Sequence, residues 1–461
     1  MRILLTLPFH PDHYITTPDL GLGYLASSLR EAGHDVRILI TTMGMTEEAF
    51  QRFVEEGRFD VVGIKILSFA MLQARNTIDI VRRLSRRTLV VVGGPGVSAQ
   101  PGDIFYYLPK ADYGVAGEGE LVFNQLLTCV EDGRTSTEVL QGIPGLIWRN
   151  GETIQANPLG QVPDVHSLPF PAWDLMEPRD FPLTPFNGYS RRFPIATMLF
   201  SRGCPYRCTF CGQGNAPIRP RNADDIMAEI RMLVEKHGVR EIQFYDSNLI
   251  HPKSATREVL QRIIDEEIDI VWNAPNGLRV DHLDPELARL MKRSGCYQVN
   301  VGIESGSPRI LKQVKKGIRL EQVRKSVRML RDANIEVVGF FMIGFPNESR
   351  AEIQETVDFA LSLPITGGSF SILIPMPGTK IYHEVFTDGR RLSIEEISSM
   401  TFASYENNLS RVSSEELHKI QKNAFLRLHL RPVVLLSMIR NMNHPEKLKL
   451  LMRRALGVLR A

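Results

Sequence analysis

Apolar runs of strand length alternate with amphipathic helical patterns through the first 140 residues. The runs RILLTL, DVRILI, DVVGIKI, TLVVVGG and YGVAG are rich in Val, Ile and Leu, and helical periodicity separates several of them, as over residues 71–84. Near-continuous apolar strands joined by helices are typical of a parallel sheet covered on both faces. We therefore predict that residues 1–140 form a doubly wound, Rossmann-like α/β domain.

A second alternation begins at residue 195. The strand-like runs are IATMLF, EIQFYD, DIVWNA, YQVNVGI, IEVVGFFMIG and GSFSILIP, and a helical pattern follows each of them except the last. Six βα units are fewer than the eight of a closed barrel. We predict an open (β/α)6 partial barrel of the TIM type over residues 195–385, with its chemistry at the carboxyl ends of the strands.

The segment between the two alternations, residues 141–194, has a different character. It contains nine prolines and several aromatic residues, among them Trp148, Phe170, Trp173 and Phe186. So many aromatic side chains are not expected in a floppy linker. We predict an irregular connector that packs across both neighbouring domains. The pattern over residues 386–461 is helical and predicts a C-terminal helical domain.

Composition and charge narrow the range of functions. The chain has 461 residues, of which 43% are hydrophobic and 23% charged, and a formal net charge of +3. A nearly neutral chain has no global field that favours nucleic acid or a membrane. The amino terminus lacks the features of a signal peptide, and no apolar stretch reaches the ~18 residues of a membrane span. We expect a soluble, cytoplasmic protein that does not bind nucleic acid.

Three of the five cysteines are clustered. Cys204, Cys208 and Cys211 follow the first barrel strand in the stretch SRGCPYRCTFCGQG. Thiolates are ligands of zinc and of iron–sulfur clusters. A structural zinc site needs four protein ligands, and no second cysteine pair or nearby histidine supplies the fourth. Three thiolates on a 4Fe–4S cluster leave one iron open, so the spacing favours a cluster over zinc. We interpret Cys129 and Cys296 as buried thiols.

The C-x3-C-x2-C spacing, with Phe210 before the last cysteine, resembles the radical S-adenosylmethionine (radical SAM) enzymes. The resemblance implies that Cys204, Cys208 and Cys211 hold a 4Fe–4S cluster whose open iron binds S-adenosylmethionine. It also implies that an electron from the cluster cleaves this cofactor to methionine and a 5′-deoxyadenosyl radical, which takes a hydrogen atom from the substrate. An external electron donor such as flavodoxin or ferredoxin follows from the same resemblance.

Other strand ends match the family's S-adenosylmethionine contacts. Besides Phe210, the candidates are Asp246, Asn276, Arg279, Glu304, Ser305 and Gly344. Asp246 lies in FYDSN, where the family contacts the methionine moiety, although the usual Gly-Gly-Glu is absent. Gly344 lies in GFFMIGFP, which resembles the adenine-binding stretch. Arg279 and Glu304 could equally form a structural ion pair with each other.

The first domain resembles that of the cobalamin-binding radical SAM enzymes. The resemblance rests on PDLGLGYLASSLREAGHDV, FDVVGIKI, VVVGGPGVSA and GVAGEGE, followed by SLPFPAWDLM and the cysteine loop, and it covers about residues 1–385. It implies a cobalamin whose corrin ring lies between the sheet edge and the barrel mouth. The positions that match cobalamin contacts are Ser68, Gly93, Gly94, Gly117, Glu118 and Gly119.

One feature of cobalamin proteins is absent from the sequence, since no D-x-H-x-x-G stretch supplies an axial histidine. His10 and His13 lie in the first loop at a different spacing, so we expect no histidine on the cobalt and expect the strand end near Leu67 and Ser68 to face it. GLGYLA at residues 21–26 formally matches a dinucleotide fingerprint. It comes too long after the first strand for the tight turn that this fingerprint requires.

We expect an enzyme that methylates an unactivated carbon, or phosphorus, of a small molecule with methylcobalamin as donor. One alternative keeps the cofactors without methyl transfer and performs a radical cyclisation, oxidation or rearrangement of a lipid, tetrapyrrole or other natural product. A second alternative is a non-catalytic, metal-bound interaction protein.

The C-terminal segment is basic. Ten Lys and Arg residues and one acidic residue lie between Lys419 and Arg460. A basic amphipathic helix can contact an acidic or lipid surface. Helices that pack over the barrel with a solvated basic face are the favoured interpretation.

Overall fold

The computed structural model describes residues 1–10, 17–41, 45–160, 162–181, 190–387, 389–400 and 408–441. It consists of two compact units, Met1–Glu177 with Pro375–Thr401, and Pro178–Ile374 with Phe402–Ala461. The predicted boundaries differ from these units in three places. The predicted connector is divided, with residues 141–177 in the first unit and 178–194 in the second. Residues 375–385 of the predicted barrel belong to the first unit, and the predicted C-terminal domain is divided between the first unit (386–401) and the second (402–461). His13, Phe186 and residues 442–461 of the basic tail lie outside the described residues.

The first unit contains a seven-stranded sheet with the strand order β2-β1-β3-β4-β5-β6-β7. Its strands are β1 (Arg2–Thr6), β2 (Asp35–Leu39), β3 (Val61–Lys65), β4 (Leu89–Gly93), β5 (Tyr113–Val115), β6 (Leu146–Asn150) and β7 (Thr153–Ala156). The first five pair in parallel. Its helices before residue 177 are α1 (Leu20–Glu31), α2 (Glu47–Gly57), α3 (Met71–Leu84), α4 (Pro95–Ala99), α5 (Ile104–Tyr107), α6 (Gly119–Glu131) and α7 (Thr137–Gln141). The predicted doubly wound fold is confirmed.

The expectation of an irregular segment after residue 140 is wrong over residues 146–156. There β6 and β7 form a hairpin that pairs antiparallel with β5 and extends the sheet. Trp148 on β6 is buried in the core of the unit, which gives this hairpin its apolar anchor. The two turn residues are Gly151 and Glu152, and a glycine at the first of them, with a φ of +61°, is a hairpin signal that the proline count obscured.

The second unit contains a six-stranded parallel sheet with the order β15-β14-β13-β12-β11-β8. Its strands are β8 (Ile195–Met198), β11 (Glu241–Phe244), β12 (Val271–Leu278), β13 (Cys296–Glu304), β14 (Glu336–Ile343) and β15 (Gly367–Ile372), and a short antiparallel ribbon joins β9 (Ser201–Arg202) to β10 (Arg219–Pro220). The helices between them are α8 (Ala223–Glu235), α9 (Lys253–Asp265), α10 (Pro285–Arg293), α11 (Pro308–Gln313), α12 (Leu320–Asp332) and α13 (Arg350–Ser362). Since β8 and β15 are the two edges, the barrel is open, as predicted.

The last described helices divide between the units. The helices α14 (Lys380–Val385) and α15 (Ile394–Ser399) belong to the first unit, whereas α16 (Ser414–His429) and α17 (Pro432–Asn441) belong to the second. Leu417 on α16 is fully buried in a cluster with Ile343, Ile353 and Ile372. This helix therefore covers the β14 and β15 side of the barrel. Within the described part of the chain, no helix combines the length and apolarity needed to cross a bilayer.

Candidate functional site

The three clustered cysteines lie on one compact loop that the β9–β10 ribbon closes. Gly203 has a φ of +96°, and a Cβ there would lie 2.2 Å from the carbonyl oxygen of Pro217, so only glycine fits. The amide of Ala216 donates to the carbonyl of Cys204 at 3.0 Å, and the amide of Cys211 donates to the carbonyl of Cys208 at 3.2 Å. These bonds fix the backbone of the loop that carries the three thiols, just after a barrel strand.

The electrostatic surroundings of the loop suit metal-bound thiolates. All three cysteines are free and partly buried. Burial raises the pKa of the Cys208 and Cys211 thiols, and the nearby Lys316 ammonium opposes that shift. Cys296 is fully buried at the amino end of β13, and Cys129 lies on α6 in the first unit. Three grouped thiols beside a cation, with both other cysteines elsewhere, fit a 4Fe–4S cluster with one open iron.

Tyr206, between the first two cysteines, is held by a polar cluster that the sequence did not reveal. The Arg279 guanidinium lies 3.4 Å from the centre of its ring. Its hydroxyl is 2.5 Å from Nε2 of His282, and the ring of His282 stacks on that of His251. Arg279 also donates to both carboxylate oxygens of Asp281. Arg279 therefore braces the cysteine loop from the end of β12.

Glu304 and Lys316 form a buried ion pair at the end of β13. The Nζ of Lys316 is 2.7 Å from Oε1 of Glu304, and both side chains are about 10% exposed. The alternative that Arg279 pairs with Glu304 is wrong, because Arg279 binds Asp281 and donates to the carbonyl of Lys316. The ion pair fixes a cation beside Cys208 and Cys211.

Asp246 is committed to the protein backbone. Its carboxylate accepts hydrogen bonds from the amides of Phe200 and Ser201 and from the Ser201 hydroxyl. Burial raises its pKa to about 6. These bonds fix the turn that enters the cysteine loop, so Asp246 positions that loop. Two residues on, Asn248 is fully buried, and neither polar atom of its side chain has a hydrogen-bond partner in the described structure.

Three further candidates lie at strand ends in different settings. The amide nitrogen of the exposed Asn276 side chain donates to the carbonyl of Tyr245 at 2.6 Å. Ser305 is fully buried, and its hydroxyl lies 3.0 Å from that of Thr356 and accepts from the amide of Ser307. The ring of Phe210 packs edge-on against that of Phe345, which follows β14.

The stretch after β14 is organised by a carboxylate that the sequence did not single out. Glu348 is fully buried, and its Oε2 accepts the amides of Gly344 and Phe345 at 2.7 and 3.1 Å. Burial raises its pKa to about 7. The acidic residue three positions after a glycine-aromatic pair would have been a usable signal for this arrangement.

In the first unit, the carboxyl ends of β3, β4 and β5 bring together Ser68, Gly93, Gly94, Gly117, Glu118 and Gly119. At Gly93 an added Cβ would lie 3.5 Å from the carbonyl oxygen of Val115, and at Gly119 the nearest atom would be 3.8 Å away. Packing therefore requires glycine at neither position. At Gly94 and Gly117, by contrast, φ values of +94° and +82° themselves favour glycine. A flat ring against the sheet edge would account for glycine at Gly93 and Gly119, so these two positions fit cobalamin.

An ion pair at the same edge was also missed. The Nζ of Lys65, at the end of β3, is 2.7 Å from a carboxylate oxygen of Asp19, the N-cap residue of α1. Gly21 and Gly23 of the dinucleotide-like stretch lie inside α1, where their missing side chains make room for Lys65 and Met176. The stretch is thus a helix-packing feature and not a phosphate-binding turn.

Comparison with known proteins agrees with both sites. Residues 198–360 match the model of the Radical SAM superfamily, and residues 14–127 match the B12 binding domain. An uncharacterised methyltransferase of Pyrococcus horikoshii is 32% identical over 448 residues, 95% of this chain and 94% of that protein. The cytidylyl-2-hydroxyethylphosphonate methyltransferase of Streptomyces wedmorensis is 27% identical over 87% of this chain and 84% of its own length.

A solved structure has the same fold. It is the radical S-adenosylmethionine methyltransferase TsrM from Kitasatospora setae with cobalamin and a 4Fe–4S cluster bound. It matches with a TM-score of 0.69 and 23% identity, covering 85% of this chain and 79% of that chain. At this identity the likeness establishes the fold, including the helical C-terminal part.

Proposed function

This chain belongs to the cobalamin-binding radical SAM enzymes, and from that premise we propose that it transfers a methyl group to an unactivated carbon or phosphorus atom of a small molecule. The observation that carries the proposal is that one chain has both a three-thiol loop at a barrel strand end and a glycine-lined sheet edge. Each fits one of the two cofactors that such a transfer needs. The methyltransferase names of two relatives that align over most of the chain support the same reaction.

The cofactors carry the difficult chemistry: S-adenosylmethionine on the cluster supplies a 5′-deoxyadenosyl radical, and cobalamin supplies the methyl group. We assign the cluster to Cys204, Cys208 and Cys211. Lys316, held by Glu304, opposes the rise that burial causes in the pKa of the Cys208 and Cys211 thiols.

We assign direct S-adenosylmethionine contacts to the side chains or backbone of Phe210, Asn276, Arg279, Glu304 and Gly344. Asp246 and Glu348 act through the backbone amides that they hold. Asn248, whose buried amide atoms have no partner in the described structure, is an additional candidate, because a bound molecule would satisfy them.

For cobalamin we assign Ser68, Gly93, Gly94, Gly117, Glu118 and Gly119, with no histidine on the cobalt. Electron paramagnetic resonance of the cob(II)alamin form tests the axial assignment, because a nitrogen ligand splits the signal into triplets. An unsplit signal is expected. Triplets that disappear in His10→Ala or His13→Ala would overturn it.

An external one-electron donor of the flavodoxin or ferredoxin class completes the reaction. We infer that the enzyme works in the cytoplasm, where reducing conditions keep its five cysteines free.

A lipid-like substrate is the one case in which membrane contact would matter. Flotation of the intact protein with liposomes tests this point, and we expect little protein to float.

The decisive experiment is anaerobic reconstitution with iron, sulfide and cobalamin, followed by analysis of the products from S-adenosylmethionine under dithionite. Methyl transfer predicts both S-adenosylhomocysteine and 5′-deoxyadenosine. Deoxyadenosine alone would replace methylation by a radical cyclisation, oxidation or rearrangement. If neither product forms, the result would support the alternative of a non-catalytic, metal-bound protein. Cys208→Ala should abolish deoxyadenosine, and Cys296→Ala is the matched control that should not.

A further inference from the structure

A strongly basic stretch follows the fourth barrel strand. Residues 309–334 contain nine Lys and Arg residues and two acidic residues, in a chain whose net charge is only +3. Two of the nine cations are committed to ion pairs, Arg309 with Glu352 and Lys316 with Glu304. The excess positive charge is therefore local to α11, α12 and the residues that join and follow them.

A surface groove between α10 and α12 displays much of this charge. It has a volume of about 590 Å³ and is lined by Pro285, Arg289, Glu321, Arg324, Lys325, Arg328, Met329, Asp332 and Ala333. The side chains of Arg289, Lys325 and Arg328 are exposed, and none of them pairs with a carboxylate in the part of the chain that the structure describes. The lining has four cationic side chains and two carboxylates, so the groove has a net positive charge and is suited to an anionic partner.

The basic surface begins at the cysteine loop. The amide of Thr209 donates to the carbonyl of Val314 at 3.1 Å, and the Sγ of Cys208 lies 3.9 Å from the carbonyl oxygen of Lys315. Lys312, Lys315 and Arg319, around this junction, are exposed. The first residue of α12 is Leu320, and Arg328 lies eight residues on, about 12 Å along the helix axis.

We propose that this surface docks an acidic one-electron carrier protein that reduces the cluster. We call it the α12 basic surface and define it by Arg289, Lys312, Lys315, Arg319, Lys325 and Arg328. The inference rests on the proposed function, which requires such a donor. In the step itself the reduced carrier loses one electron and the oxidised cluster gains it, and no bond is formed or broken. Opposite charges steer the carrier to the side of the barrel where its electron is needed.

The experiment compares two triple variants of the reconstituted full-length enzyme. The first, Arg289→Glu/Lys325→Glu/Arg328→Glu, reverses the groove charges. The matched control, Arg52→Glu/Arg86→Glu/Arg87→Glu, reverses three exposed arginines of the first unit. Deoxyadenosine formation is measured with dithionite and, separately, with an acidic flavodoxin reduced by NADPH and its reductase. Binding of oxidised flavodoxin is measured by calorimetry.

With dithionite, all three proteins should give the same rate. With flavodoxin, the groove variant should need about ten-fold more carrier for half-maximal rate and bind it correspondingly more weakly, while the control matches the wild type. Added salt should weaken flavodoxin binding to the wild type and should affect binding to the groove variant less. Equal flavodoxin dependence of the two variants would overturn the proposal, as would an equal loss of rate by the groove variant with both reductants. Failure of the wild type even with dithionite would instead refute the proposed function.

Discussion

Replacing Gly344 by alanine tests whether the stretch after β14 must keep its backbone geometry for S-adenosylmethionine to bind. The φ of this glycine is +87°. A Cβ there would lie 3.1 Å from Cδ2 of Leu417 and 3.3 Å from Cγ2 of Ile372. The substitution therefore imposes backbone strain and pushes against α16 and β15 at the same time.

The two costs can be estimated separately. A non-glycine residue with this left-handed φ costs roughly 1–2 kcal/mol. Two carbon contacts inside the optimum of about 3.5–4.0 Å belong to an overpacked core, for which a further cost of about 1–3 kcal/mol is typical. Gly33 is the matched control, since its φ is +88° and nothing lies within 4 Å of an added Cβ. Gly33→Ala should therefore lose only the stability that the backbone strain costs, roughly 1–2 kcal/mol.

Urea unfolding measures both losses, and equilibrium dialysis with S-adenosylmethionine measures the functional effect. Gly344→Ala should destabilise its unit by about 2–5 kcal/mol, the sum of the two costs, and weaken cofactor binding, while Gly33→Ala leaves binding unchanged. In a double-mutant cycle, Gly344→Ala should cost less stability in a Leu417→Ala background than in the wild type, because the contact with Leu417 is relieved while the backbone strain is not. If Gly344→Ala were no worse than Gly33→Ala in stability and bound S-adenosylmethionine normally, the assignment of this stretch would be refuted.

The remaining predictions concern the thiols, a buried carboxylate and the C-terminal helices. Single alanine substitutions of Cys204, Cys208 or Cys211 should remove the brown absorbance of the reconstituted cluster, whereas Cys129→Ala should keep it; equal losses would contradict the ligand assignment. Because burial raises the pKa of Glu348 to about 7 in the folded state, its contribution to stability is full below about pH 4 and is lost as the pH rises through about 7. Wild type should therefore lose up to about 3 kcal/mol relative to Glu348→Gln between pH 4 and pH 8, and parallel pH profiles of the two proteins would disprove this. Truncation after residue 410 removes Leu417 and Leu428, which are fully buried, and should reduce solubility and lower the melting temperature. The control Leu430→Ala, at a 68% exposed position, should have little effect on either. A truncated protein with unchanged solubility and melting temperature would show that α16 is dispensable.

The sequence by itself determined the two parallel sheets and the place of the cysteine loop. Strand-length apolar runs separated by helical periodicity can bury their side chains on both faces only in a helix-covered parallel sheet, so the pattern specified the architecture. The carboxyl ends of parallel strands meet at one edge, which brought the glycines of the first unit together. Three cysteines within eight residues lie on one short loop whatever the rest of the chain does, so the place of the predicted ligands followed from the sequence.

Tertiary structure alone decided which charged and polar groups meet. Arg279 forms an ion pair with Asp281 and not with Glu304. Glu304 pairs with Lys316, because α11 and the loop after it return to the end of β13. The carboxylate of Asp246 turns inward to backbone amides that lie 45 residues earlier in the chain. Local pattern specifies which face of an element is buried. Which distant groups satisfy each other's hydrogen bonds and charges depends on how the elements pack, and one sequence read in short windows does not contain that information.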